Sequence, residues 1–141
     1  MLAQQRNKYL QTTVQTATPQ QLLIMLYDGA IRFCRQGIEG IKNGNYSDAN
    51  TGFLKTQAII NEFIITIDRT SPVAENLLKL YDYFNMRLTE ANISKKTEPA
   101  EEVLNHLIEL KETWYQAAKQ FNQSAGQASG SNFAATHSTV V

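Results

Sequence analysis

A single cysteine among 141 residues excludes a disulfide framework, and three prolines leave long stretches free to run as helix. No charge of one sign prevails: 13 Lys and Arg balance 13 Asp and Glu. A nucleic-acid backbone or an anionic membrane, each bound largely through positive charge, is therefore not the expected partner. The longest unbroken apolar run, Leu22 to Tyr27, falls far short of the roughly 20 residues that a membrane span needs. Met1 to Tyr9 holds no cationic stretch followed by an apolar one, so no leader is read there. These absences point to a soluble cytoplasmic protein in which Cys34 is a small buried hydrophobe. With 43% apolar residues, the chain is long enough to bury one core without disulfide or metal.

What is present is helical punctuation. Thr18 offers a hydroxyl to an unpaired backbone N–H and Pro19 needs no donor, a cap and first residue for a helix from Pro19 to about Lys42. Apolar residues from Leu22 to Ile38 spread over an arc of roughly 200°, about twice the stripe of an ordinary surface helix. Such a helix must be covered on two sides. Asn43-Gly44 ends it, with Gly44 suited to a left-handed turn.

Three further amphipathic segments follow, at about 46–68, 72–92 and 98–122. The second buries Ala49, Phe53, Ile60, Phe63, Ile64 and Ile67, and Ser71-Pro72 repeats the cap-plus-proline signal for the third. In the fourth, Ala100, Val103, Leu107, Leu110, Trp114, Ala117 and Phe121 recur at spacings of three and four, a seam for shallow packing angles. No segment alternates with period two. Short connections make neighbours antiparallel, so the expected fold is all-α: an up-down four-helix bundle over 18–122. Residues 1–17 read as a mobile N-terminal arm, and 123–141, rich in Ser, Gly, Ala and Thr, as a disordered tail.

Catalytic chemistry is poorly represented. There is no Gly-rich phosphate loop, Cys/His pair or Ser/His/Asp set. Glu102, His106 and Glu109 share a helical face, but a bundle metal site needs a second histidine and more inward carboxylates, so no metal or cofactor is expected. A histidine phosphotransfer module using His106 is the alternative reading, opposed by the carboxylates of Glu102 and Glu109 beside it. Tyr27 and Tyr81, each within a Leu-Tyr-Asp triplet, read as bundle-edge tyrosines with outward hydroxyls.

A binding surface is better supported. Opposite the core face of the second helix, Leu54, Ala58, Asn61 and Ile65 form a second line, the floor of a groove for an amphipathic or extended segment. On the third helix Tyr83 and Met86 fall outside the core arc, Met86 being well suited to adapt to a partner. In the arm, Tyr9, Leu10 and Val14 are apolar enough to cover such a groove and to be displaced from it.

The residues also resemble a known family. Tyr9, Val14, Thr16-Ala17-Thr18-Pro19, Leu22 and Met25-Leu26-Tyr27-Asp28-Gly29 are similar, at these spacings, to the N-terminal signature of the flagellin-specific secretion chaperones of the FliS family. The likeness continues at Lys55 to Ile60, at Leu80-Tyr81-Asp82-Tyr83, at Arg87-Leu88 and Glu90-Ala91-Asn92, at Glu101-Glu102-Val103 and at Thr113-Trp114. It departs at Thr70-Ser71-Pro72, where the family often has Gly-Gly-Glu, and at Met86, where it usually has an arginine. The resemblance implies a cytoplasmic bundle, not an enzyme, that binds the disordered C-terminal segment of flagellin, prevents premature polymerisation and presents it to the flagellar type III export gate. It also implies an N-terminal arm that moves when flagellin binds. Monomer and homodimer both remain open.

Overall fold

The computed structural model describes residues 16–124. Four helices run α1 (Pro19–Lys42), α2 (Tyr46–Thr66), α3 (Ala74–Ser94) and α4 (Glu98–Ser124), with no strand among the described residues. The start of α1 is fixed locally: Thr18 Oγ1 accepts from the Gln21 N–H at 3.1 Å, and the Gln21 side chain accepts from the Thr18 N–H at 2.9 Å. Gly44, at φ 71°, turns the chain back after α1. Lys95 closes α3 in the same left-handed region at φ 57°, and its ammonium group lies 5.3 Å from the Tyr46 ring centre.

The Ser-Pro signal at Ser71-Pro72 does not open α3 directly. Asp68 Oδ1 captures the Thr70 N–H and hydroxyl at 3.0 and 2.6 Å, and Ser71 N–H donates to the Asp68 carbonyl at 3.1 Å. A turn thereby forms first, and regular helix begins two residues beyond Pro72, at Ala74.

Each helix packs on two neighbours, α1 on α2 and α4, and α3 on α2 and α4. Contacting pairs run in opposite order on every seam. Asn50 meets Asn92 and Asn61 meets Asn85 between α2 and α3; Cys34 meets Ala100 and Asp28 meets Lys111 between α1 and α4. The ring is thus antiparallel throughout.

The α1–α2 seam is the tightest. Glycines let the two backbones touch: a Cβ on Gly52 would lie 2.5 Å from the Gly37 nitrogen, and one on Gly40 would lie 2.5 Å from the Ala49 nitrogen. The Phe53 ring fills the remaining space, where a Cβ on Gly37 would come within 2.4 Å of it.

Across the middle of the bundle runs a series of rings drawn from all four helices. Tyr27 stacks on Phe63 at 4.5 Å, Phe63 lies 5.4 Å from Tyr81, Tyr81 meets Phe84 edge-on at 6.3 Å, and Phe84 lies 5.6 Å from His106. Trp114 packs against the same core, half-buried. The expectation of outward tyrosine hydroxyls is corrected here: Tyr27 and Tyr81 are fully buried, and their hydroxyls share a hydrogen bond of 2.7 Å. A phenol goes inside when its polar end finds a partner. Here that partner sits 54 residues away, on the diagonal helix, where sequence spacing alone does not reveal it.

Two predictions test this core. Gly52→Ala gains helix propensity of about 1 kcal/mol but overpacks two backbones, and the clash prevails, lowering stability by about 1 to 3 kcal/mol in urea denaturation. Burial pushes the Tyr27 hydroxyl up to about 12 and raises Tyr81 as well. The folded chain therefore keeps phenol protons that the unfolded chain releases from pH 10 upward, so this stability is intact below pH 10 and is lost as pH rises through about 12. The Tyr27→Phe/Tyr81→Phe double variant should show a shallower alkaline decline, and Tyr81→Phe alone should cost about 0.5 to 1.5 kcal/mol by removing one buried hydrogen bond, since the Tyr27 hydroxyl keeps the Trp114 side chain as a partner.

Candidate protein-binding surface

The outer face of α2 is apolar and uncovered among the described residues. Leu54 is 53% exposed and Ile65 73% exposed, with Ala58 exposed between them. These side chains point away from the buried line of Ala49, Phe53, Thr56, Ile60 and Phe63. Thr56, absent from the expected core, is tolerated there because its hydroxyl donates to the Gly52 carbonyl at 2.8 Å. Asn61, the remaining member of the strip, leans toward α3 and accepts from Asn85 Nδ2 at 2.9 Å.

On α3, Met86 is 57% exposed and Ile93 is 78% exposed, two outward residues one heptad apart. Met86 follows Asn85 and so stands about 100° round the helix from it, on the outward face of α3. Tyr83 does not join them. It is half-buried and donates its hydroxyl to Glu102 of α4. Tyr9, Leu10 and Val14 lie outside the described residues.

Between the α2 and α3 apolar residues lies a ladder of amides that the sequence reading did not anticipate. Asn92 donates to Asn50 at 2.8 Å, Gln57 donates to Thr89 at 2.9 Å and to the Asn85 carbonyl at 3.1 Å, and Asn85 donates to Asn61. Gln57 and Asn61 are four apart, and Asn85, Thr89 and Asn92 follow at helical spacing, but spacing does not give which faces of the two helices meet. The surface therefore has a polar centre and apolar flanks, an arrangement that orients a bound segment as well as burying it.

The α3–α4 seam is charged. Glu102 accepts from Tyr83 and, at 3.0 Å, from Arg87 Nε, while Arg87 also pairs with Glu90 at 2.8 Å. The Tyr83 hydrogen bond and then Arg87 hold the Glu102 carboxyl below its ordinary range. His106 lies against Phe84 with that carboxylate nearby, a poor setting for an incoming phosphoryl group. Burial pushes the Cys34 thiol up to about 12, which leaves it without the thiolate needed for nucleophilic chemistry. Among the described residues, no group of three or more His, Cys, Asp and Glu side chains that could hold a metal gathers, and no helix is long and apolar enough to cross a membrane.

A helical bundle with exposed apolar side chains on two neighbouring helices has the form of a protein-binding module. Comparison with known proteins narrows the class. A family model described as "Flagellar protein FliS" matches residues 2–121. The flagellar secretion chaperone FliS of Bacillus subtilis is 35% identical over 109 residues, covering 77% of this chain and 82% of the relative. Its namesake in Campylobacter jejuni is 33% identical over 110 residues, covering 77% and 86%. That of Salmonella typhimurium is 29% identical over 110 residues, covering 76% and 82%. The chain belongs to the FliS family of flagellar secretion chaperones.

The exposure of the α2 and α3 residues makes a prediction independent of any ligand. Leu54→Ser, Ile65→Asp and Met86→Ser each lower stability in urea denaturation by no more than about 1 kcal/mol, because each side chain is more than half exposed.

Proposed function

We propose that this protein is a cytoplasmic export chaperone that binds the disordered C-terminal segment of flagellin and delivers it to the flagellar type III export apparatus. The observation that carries the reading is the apolar line of Leu54, Ala58 and Ile65, uncovered among the described residues, together with the exposed Met86 of α3, on a member of this family. A flagellin segment that would assemble through its own apolar helical faces orders on this surface, with Asn61 and the neighbouring amides satisfying its polar groups. Each Leu or Ile covered contributes about 1.5 to 3 kcal/mol before the cost of ordering the ligand, roughly 2 to 5 kcal/mol.

In this reading Tyr9, Leu10 and Val14 of the arm shield the surface until flagellin displaces them, and Tyr83 contributes at its edge. The protein acts by binding alone, as monomer or homodimer, without cofactor or metal. An export-gate component is its second partner.

Calorimetric titration with a peptide from the C-terminal end of the same organism's flagellin tests the proposal. Saturable binding with a large negative heat-capacity change and helicity above the sum of the parts supports it. Ile65→Asp should weaken that binding by at least about tenfold, the effect of losing a buried anchor, while circular dichroism of the free variant stays that of the parent. Undiminished affinity in the variant would place the flagellin site elsewhere.

A further inference from the structure

The opposite side of the ring carries a second surface. Along the α1–α4 seam two cavities follow one another. The first, of about 440 Å³, is lined by Thr16, Ala17, Gln21, Ile24, Met25 and Tyr115 and is largely apolar. The second, of about 520 Å³, has Ile31 and Ile108 at its base and Asp28, Arg32, Arg35 and Lys111 around it.

Three cations thus surround the second cavity against one carboxylate, and that carboxylate, Asp28, is already paired with Lys111. Arg32 lies over the Phe33 ring at 5.3 Å. Among the described residues neither Arg32 nor Arg35 has a carboxylate within ion-pair distance. From Gln21 to Arg35 α1 extends about 21 Å, enough to seat about four turns of another helix.

We infer that the α1–α4 seam is a docking groove for an acidic amphipathic helix of a partner protein. The apolar face of that helix packs on Ile24, Met25, Ile108 and Tyr115, and its carboxylates meet Arg32 and Arg35. Charge complementarity selects the occupant. Residues 1–15 contain Arg6 and Lys8 and no acid, and residues 125–141 contain no Asp or Glu, so neither flanking stretch of this sequence supplies the complement. The groove lies across the bundle from the α2–α3 surface. It is separate from the flagellin reading, and both surfaces can be occupied at once.

The test uses the full chain, labelled with ¹⁵N, and two synthetic peptides of about 18 residues with the same Leu face, one flanked by Glu and the other by Lys. The Glu peptide should bind saturably and more weakly as salt is raised, shifting amides of α1 between Ile24 and Arg35 and of α4 between Leu104 and Tyr115. Arg32→Glu/Arg35→Glu should lower its affinity by at least about tenfold and raise that of the Lys peptide, with thermal unfolding unchanged. Ile65→Asp should leave the binding as it was, which separates this groove from the flagellin surface. Equal binding of the Lys peptide to the parent protein, shifts confined to α2 and α3, or no saturable shift would each overturn the inference.

Discussion

The close approach of the α1 and α2 backbones is the constraint on which the rest of this bundle depends. Gly37, Gly40 and Gly52 remove the side chains that would hold the two helices apart. In isolation each interior glycine costs its helix about 1 kcal/mol relative to alanine. Close packing along the whole seam offsets that cost, and Phe53 lies where only a glycine opposite admits it. Because α1 needs no long side chains against α2, its large apolar residues are free for two other tasks. Tyr27, Ile31 and Ile38 enter the core, while Ile24 and Met25 line the seam with α4. The wide apolar arc of α1 follows from this division.

The core shows the same economy with polar groups. Two tyrosines on diagonal helices are buried whole because each hydroxyl satisfies the other. Phe63 lies against both rings and so couples α2 to the pair. The remaining polar seams are placed outside this aromatic series, as amides between α2 and α3 and as charges between α3 and α4. Interior apolar packing supplies stability, and these directional contacts favour one register among those that apolar packing alone would allow.

Local signals were legible in the sequence and distant ones were not. The N-cap at Thr18 and the left-handed Gly44 depend on residues within a few positions, and both appear in the structure. The start of α3 misled, because Asp68 and Thr70 formed a competing turn just before the Ser-Pro signal. The Tyr27–Tyr81 bond links residues 54 apart and emerges only from the topology. Of the candidate surface, the exposed Leu54, Ala58, Ile65 and Met86 could be read from helical periodicity. The amide ladder could not, since it depends on which face of α2 meets which face of α3. Tyr83 and Met86, three residues apart on α3, differ in exposure because the Tyr83 hydroxyl reaches Glu102 of α4, a contact that spacing does not reveal.

A four-helix ring has a geometric consequence for a protein that works by binding. Its four seams form two opposed pairs, and here α1–α2 is closed by backbone contact while α3–α4 is bridged by Glu102, which binds both Arg87 and Tyr83. The open surfaces therefore fall on the other pair, α2–α3 and α1–α4. They differ in chemistry: the α2–α3 surface pairs exposed apolar side chains with neutral amides, whereas the α1–α4 groove adds two arginines with no carboxylate partner among the described residues. A neutral amide centre accommodates the backbone of an extended or newly ordered chain whatever its charge, while unpaired guanidinium groups favour carboxylates and reject cations. Two faces so placed and so unlike need not compete for one ligand. A rigid bundle that carries them can hold one partner while it engages another, without any conformational signal passing through the core.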